Sequence, residues 1–238
     1  MKALILAGGL GTRLRPLVSD RPKPMAEVAG KPFLEYQVAQ LRRQGFAQIV
    51  LCIGYLAEQV RDYFGDGRRW GVRIDYAVET ERLGTAGAIR NAHRWIDDTF
   101  VVLNGDSYLE TDFKTMVEYH RRQRATAAQL VGTIAAVAVD DVAAYGALEL
   151  DGEGFVTRFR EKGGTGTGWI NGGVYVLERE ILDRIPEGEM VSIEKETLPQ
   201  LLAAGGRLAA WPAAGFFVDI GTPAGYHRFQ AYAKEQDL

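Results

Sequence analysis

The sequence predicts an α/β protein with a mixed, mostly parallel central sheet and helices on both faces. Three observations predict it. Short apolar runs alternate with segments of helical period through the N-terminal half. The first of these runs ends in glycines, as a strand feeding a ligand loop does. The chain has 238 residues, 47% of them hydrophobic, enough to bury a sizeable core.

The elements follow in order. Residues 2–6 form a short apolar run that reads as a buried strand. Phe33, Leu34, Val38 and Leu41 recur at helical spacing, and Gly45 stops that helix. A second apolar strand covers 48–53, a helix 56–64, a strand 72–77, a helix 85–95 and a strand 100–103. The second half is less regular. Strands are expected at 130–139, 147–150, 155–160 and 170–177, and helices at 192–204 and 223–234. The glycine-rich stretch 163–168 reads as a hairpin tip. No internal repeat or low-complexity linker divides the chain. It reads as one domain, 1–238, in two halves, 1–110 and 111–238.

Composition limits the partners. Twenty-eight Lys plus Arg against thirty-one Asp plus Glu give a formal charge of −3, so no global basic field draws the chain to nucleic acid or an anionic membrane. No window has the length of a membrane helix, and the N-terminal apolar stretch is too short for a signal-peptide core. The single cysteine, Cys52, sits in an apolar run and reads as a small core residue, which fits a cytoplasmic compartment. A homodimer is compatible with the sequence and not specified by it.

The first strand, with Leu6 and Ala7, runs into Gly8-Gly9-Leu10-Gly11-Thr12-Arg13-Leu14-Arg15-Pro16. Leu14 stands where a dinucleotide fingerprint needs glycine, and the Gly-Lys-Ser/Thr of a Walker loop is absent. What remains is a glycine loop whose backbone N–H groups can face an anion. Arg13 and Arg15 add charge to it. Ten residues after Arg13 comes Pro22-Lys23-Pro24, in which the flanking prolines restrict the backbone and give Lys23 a defined direction. Pro-Lys-Pro alone reads as a surface turn. Beside the glycine loop it reads as a point-charge phosphate contact.

Two carboxylates complete the polar set. Asp106 follows the apolar strand through Asn104-Gly105, at the sheet edge where the glycine loop also emerges. Asp219 stands in Phe217-Val218-Asp219-Ile220-Gly221-Thr222-Pro223. Mg²⁺ on a triphosphate takes one or two carboxylates plus phosphate oxygens and water.

These motifs resemble the sugar-1-phosphate nucleotidylyltransferase family. Its signature is Gly-Gly-x-Gly-Thr-Arg-Leu followed by Pro-Lys-Pro, and the likeness runs from Lys2 to about Phe229. The resemblance implies a Rossmann-like, GT-A-like fold without a C-terminal β-helix. It implies transfer of a nucleoside monophosphate from a nucleoside triphosphate to a sugar 1-phosphate, with release of pyrophosphate. Leu6, Ala7, Gly8, Gly9, Gly11 and Thr12 would then hold the triphosphate, Arg13 the leaving pyrophosphate and Lys23 the α-phosphate. Asp106 and Asp219 would hold Mg²⁺.

Further roles follow from the same resemblance. The segment from Glu79 to Ile89 would place Glu79, Leu83, Gly84 and Thr85 on the nucleobase. Thr85 reads equally well as a helix cap. Asn104, Gly105, Tyr145, Gly146, Glu161, Lys162, Asn171 and Gly172 would bind the sugar phosphate, with Glu161 on sugar hydroxyls and Lys162 on the phosphate. Ser192-Ile193-Glu194 is either a further sugar contact or a helix N-terminus. No general base is needed, because the second pKa of a phosphate is ~6. His93, His120 and His227 accordingly read as surface or packing residues.

Among short members, the D-glycero-α-D-manno-heptose 1-phosphate guanylyltransferases are similar in Val18-Ser19-Asp20, Lys31-Pro32-Phe33-Leu34-Glu35-Tyr36 and Ile170-Asn171-Gly172-Gly173. That makes GTP and the heptose 1-phosphate the expected substrates, for a lipopolysaccharide, capsule or S-layer glycan. Mannose 1-phosphate guanylyltransferases and N-acetylmuramate 1-phosphate uridylyltransferases are the alternatives. A non-catalytic nucleotide-sugar-binding subunit should lack a metal Asp or the Lys, and all are present here.

Overall fold

The computed structural model describes residues 1–9, 11, 14 and 20–238. Strand β1 (Ala3–Leu6) leads to a 3₁₀ turn (Lys23–Met25) and a small ribbon, β2 (Glu27–Val28) with β3 (Lys31–Pro32). There follow α1 (Phe33–Arg43), β4 (Gln48–Ile53), α2 (Ala57–Phe64), β5 (Arg73–Val78), α3 (Gly84–Asn91) and β6 (Phe100–Asn104). Then come β7 (Ser107–Leu109), α4 (Phe113–Thr126), β8 (Leu130–Val139), β9 (Ala147–Leu150), β10 (Val156–Phe159) and β11 (Gly168–Leu177). The chain closes with α5 (Leu198–Ala203), β12 (Arg207–Ala213), β13 (Phe217–Asp219) and α6 (Pro223–Glu235).

Among the described residues, nine strands form one mixed sheet. β1 lies between β4 and β6, all parallel, and β5 extends the sheet parallel to β4. β11 is antiparallel to its neighbours. One edge pairs with β8 along most of its length. The other pairs with β6 from Val174 to Leu177 and with β9 at Trp169 and Ile170. The sheet therefore forks at Asn171-Gly172-Gly173, and the β9–β10 wing stands beyond the carboxyl ends of β1 and β6.

The apolar runs are buried on both sides because successive side chains alternate across the sheet. Ala3, Ile5, Ile49, Leu51, Val101 and Leu103 join the face covered by α1, α2 and α4. Leu4, Val50, Cys52, Phe100 and Val102 join the face covered by α3 and α5. A smaller cluster of Phe33, Tyr36, Tyr108, Val218 and Phe229 docks α6. Cys52 is fully buried, and burial pushes its thiol pKa up. Among the described residues, no helix is long and apolar enough to cross a membrane.

Several elements depart from the sequence reading. Helix α4 was not expected. Its buried stripe is Phe113, Met116, Val117 and His120, and a histidine in the last place weakens the apolar period. β12 is alanine-rich and carries Pro212, so it lacks a strand composition. β7 and β13, of three residues each, are too short to show a period. The stretch 163–168 is not a hairpin tip, since β9 lies between β10 and β11. The expected helix 192–204 opens with a π-helical turn at Ile193–Thr197 before α5.

His120 is 1% exposed, with Nδ1 2.9 Å from the Thr133 hydroxyl and Nε2 2.8 Å from Glu178 Oε1. The carboxylate requires a donor at Nε2, so Nδ1 accepts from Thr133 in the neutral ring. Burial holds the His120 pKa below its ordinary 6.5, against the raising pull of Glu178. The folded state thus binds this proton less well than the unfolded chain. The associated stability is present above pH 6.5 and is lost as pH falls through the folded value. Urea midpoints between pH 7.5 and pH 5 should fall for the wild type and fall less for His120→Gln. Parallel curves would remove His120 as a cause.

Candidate active site

The site forms where β1 and β6 end together, with Leu6 opposite Asn104. The Gly105 N–H donates to Leu6 O at 3.0 Å and turns the chain toward Asp106. Asp219 arrives from the far end of the sequence on β13, which pairs with β7 so that Asp219 lies opposite Ser107. The Ile220 N–H donates to Asp106 O at 2.9 Å and locks the two acidic segments side by side. Lys23 opens its 3₁₀ turn after an extended Pro22. Its ammonium is 2.7 Å from Asp106 Oδ2 and 3.9 Å from Asp219 Oδ1, in a side chain only 9% exposed. A buried ammonium needs such partners, since desolvation penalises an unpaired charge.

Two clefts meet at this triad. The first is bordered by Leu6, Gly8, Gly9, Lys23, Pro24, Glu79, Arg82, Gly84, Thr85 and Met190. Gly11 packs against the aliphatic stem of Lys23. Glu79 accepts from the Leu83 N–H at 3.3 Å, and burial raises its carboxyl pKa against that hydrogen bond. The second cleft is bordered by Tyr145, Gly146, Glu161, Lys162, Asn171, Lys195 and Asp219. Asn104, Asp106 and Glu194 border both.

The fork in the sheet supplies the wall between them. Gly173 has φ +72°, a conformation that favours glycine, and its N–H donates to Asn171 Oδ1 at 2.8 Å. The Asn171 amide then donates to the Tyr175 hydroxyl at 2.6 Å and to Glu194 Oε1 at 2.7 Å. Tyr175 donates to the same Glu194 oxygen at 2.7 Å.

The expected residues divide as follows. Lys23, Asp106 and Asp219 converge, and the glycines at 8 and 9 share their cleft with Glu79, Gly84 and Thr85. Thr12, Arg13 and Arg15 lie outside the described residues. Ala7 does not border the cleft: its side chain is in the core, and its N–H donates to Cys52 O at 2.7 Å. Gly172 lies under Leu109 and Val137 instead of in a cleft. Thr85 is not a cap. Helix α3 has no side-chain cap, and Thr85 Oγ1 accepts from the Ile193 N–H at 2.8 Å.

Gly84 shows where the close approach occurs. At φ +69°, a Cβ there would lie 2.5 Å from Val191 O. The approaching group is the chain's own segment 189–191, which also takes the Ala86 N–H at 3.0 Å and gives its Val191 N–H to Leu83 O at 2.8 Å. Through this contact the second half of the sequence delivers Met190, 68% exposed, to the first cleft. Sequence reasoning missed Arg82, Met190, Ser107 and Lys195. Met190 and Ser107 carry no motif, and Arg82 and Lys195 look like solvated charges.

A family profile described as Nucleotidyl transferase matches residues 2–236. Mannose-1-phosphate guanylyltransferase of Mycobacterium tuberculosis is 39% identical over 96% of this chain, which spans 63% of that protein's length. D-glycero-alpha-D-manno-heptose 1-phosphate guanylyltransferase of Aneurinibacillus thermoaerophilus is 37% identical, with 97% of each chain covered. The crystal structure of HddC from Yersinia pseudotuberculosis complexed with GMP-PN matches with a TM-score of 0.85 and 37% identity. It covers 97% of this chain and 98% of that one.

Gly84→Ala should cost about 1–3 kcal/mol of stability, the scale of one strained backbone conformation. Urea unfolding measures it. An unchanged midpoint would mean that segment 189–191 moves aside freely.

Proposed function

Because the chain belongs to the nucleotidyl transferase family, we propose that it transfers a nucleoside monophosphate from GTP to D-glycero-α-D-manno-heptose 1-phosphate, releasing pyrophosphate. The observation that carries this reading is the pair of clefts meeting at Lys23, Asp106 and Asp219. Two ligands placed there would have their phosphates face to face. The relatives named as guanylyltransferases support GTP, and the heptose 1-phosphate relative supports the sugar. Mannose 1-phosphate is the second reading, favoured by the 39% identity to the mannose-1-phosphate enzyme.

In this reading a sugar-phosphate oxygen attacks the α-phosphorus of the triphosphate. A P–O bond forms there as the bond to the β-phosphate oxygen breaks, and pyrophosphate departs. The nucleophile is already an anion near neutral pH, since its second pKa is ~6. Positioning and charge neutralisation therefore carry the rate. Gly8, Gly9, Gly11 and Thr12 cradle the phosphates, Arg13 holds the departing pyrophosphate and Lys23 contacts the α-phosphate. Glu79 and Leu83 to Thr85 flank the base. Tyr145, Gly146, Glu161 and Asn171 hold the sugar, and Lys162 its phosphate.

The donor set fits Mg²⁺. Asp106 and Asp219 already bracket one cationic group, the Lys23 ammonium, so the pair calls for positive charge. Among the described residues no cluster of three or more potential ligands occurs. Two carboxylates, with phosphates and water completing the shell, is the usual magnesium arrangement. When bound there, the ion would neutralise charge on the triphosphate. A cytoplasmic location belongs to the same proposal, supported by a single, buried cysteine.

The test mixes the protein with Mg²⁺, pyrophosphatase, all five common nucleoside triphosphates and a pool of sugar 1-phosphates, and reads products by mass spectrometry. GDP-heptose as the dominant product is expected. A UDP, CDP or dTDP sugar would overturn the substrates and keep the chemistry. No product with any pair, from folded protein, would favour a non-catalytic binding subunit. Asp106→Asn should lose about 10²–10³-fold in kcat at saturating Mg²⁺, the scale of one removed charge-stabilising group, with the fold kept by circular dichroism and the melting temperature lowered, because Lys23 loses its nearer carboxylate. Near-normal turnover would take Asp106 out of the metal site.

A further inference from the structure

We infer that Gln37 of helix α1, which borders neither cleft, is the positioning residue that aims the Asp106 carboxylate at the metal. The inference rests on the nucleotidylyl-transfer reading and extends it to a residue behind the site.

Gln37 is 1% exposed, an uncommon place for an amide. Its Nε2 donates to Asn104 O at 2.8 Å and to Ser107 O at 2.9 Å. These carbonyls stand at the two ends of the turn that joins β6 to β7, and Asp106 lies between them. The contacts also decide which end of the amide is which, since a reversed amide would set its oxygen against two carbonyl oxygens. Glutamine suits the place because one NH₂ group carries two donors and no charge. A hydroxyl offers one donor, and an ammonium would bring a buried charge. The arrangement is not free of cost. Gln37 Oε1 is buried and has no partner among the described residues, and an unpaired buried acceptor is destabilising. The two donors are therefore what this side chain contributes.

Gln40 and Gln44 share this face of α1, because residues three and four apart line up along a helix. Gln40 donates to Leu109 O at 2.7 Å. Gln44 donates to Thr111 O at 2.8 Å and accepts from the Phe113 N–H at 2.6 Å. All three glutamines clasp the chain that follows β6, but only Gln37 grips the turn that carries Asp106. Backbone anchors the middle of that turn, through the Gly105 N–H on Leu6 O and the Ile220 N–H on Asp106 O. Gln37 ties its two ends together. The same helix sets the Lys23 side: the Phe33 N–H donates to Ala26 O at 2.9 Å, and the Ala26 N–H to Lys23 O at 3.0 Å. One helix thus holds both the ammonium and the carboxylate that meet at 2.7 Å. A carboxylate turns with its backbone, so freeing the ends of the turn would redirect Asp106 without unfolding the sheet.

The test compares wild type, Gln37→Met, Gln40→Met, Asp106→Asn and the double variant of Gln37→Met with Asp106→Asn, with circular dichroism as the fold control. Methionine keeps the length of the side chain and removes its donors. The probe is a non-hydrolysable analogue of the nucleotide that gives product in the competition assay, or of GTP if none does. Calorimetry measures its affinity with Mg²⁺ and again with EDTA. The ratio of the two is the contribution of the metal, read without turnover. Gln37→Met should cut that ratio about tenfold, the low end of the loss when a group supporting a metal ligand is removed. Its affinity in EDTA should stay within about twofold of wild type, because the nucleotide does not touch Gln37. Gln40→Met should lower the melting temperature as Gln37→Met does, yet keep the ratio within about twofold. With Asp106→Asn in place, Gln37→Met should remove little more, since it acts through that carboxylate. Should Gln37→Met not fold, Gln37→Asn, whose amide falls one methylene short, is read in its place. An unchanged ratio in the Gln37 variant, an equal loss in Gln40→Met, or a full further loss on top of Asp106→Asn would overturn the inference. A ratio that Asp106→Asn leaves intact would overturn the metal reading and this inference with it. Failure of nucleotidylyl transfer is read separately, from the product spectrum of the wild type.

Discussion

One edge of a β-strand can bond only one neighbour at a time, and β11 uses its edge twice. From Val174 onward it pairs with β6, and at Trp169 and Ile170 with β9. The change of partner cannot be continuous, because two strands diverging from a third leave backbone groups without a ladder. Asn171 and Gly173 absorb the discontinuity: the asparagine side chain takes the Gly173 N–H, and Gly173 takes a left-handed conformation. Beyond the fork, the β9–β10 wing stands over the carboxyl ends of β1 and β6. The second cleft is the space this wing encloses, so the strand-pairing defect and the site have the same origin.

Electrostatics then tie remote parts of the chain to that opening. Lys23, Asp106 and Asp219 come from three separate segments, and no two of them are close in sequence. Burying the ammonium is tolerable only because both carboxylates attend it. The carboxylates in turn are fixed by backbone: the Ile220 N–H on Asp106 O, and the β7–β13 ladder. Helix α6 supports the same corner, since Thr222 caps it and Phe229 packs against Phe33, Tyr36 and Tyr108. A change in the aromatic cluster would reach the acidic pair through this short path.

The two halves of the sequence are not two halves of the site. Segment 189–191 from the second half adds backbone hydrogen bonds to the start of α3, and Gly84 leaves room for it. It places Met190 at the first cleft and carries the chain on to Glu194 at the wall shared by both. The clefts are thus coupled through backbone as well as through shared side chains.

The sequence by itself determined much of the frame. The apolar runs of β1, β4 and β6 are strong because both faces of those strands are buried, so no polar residue interrupts them. Lys23, Asp106 and Asp219 stood out because their charges sit among prolines, or at the ends of apolar runs, where a bland role explains them poorly. Tertiary structure decided the rest. It gave α4 a buried histidine in place of an apolar residue, paired an alanine-rich β12 with β8, and set Thr85 on Ile193 instead of on its own helix. It also turned Asn171, Tyr175 and Glu194 into one hydrogen-bonded group. Local sequence reports the environment of neighbouring residues. These contacts join residues that are distant in sequence, or depend on where a sheet forks, and neither leaves a periodic trace in the chain.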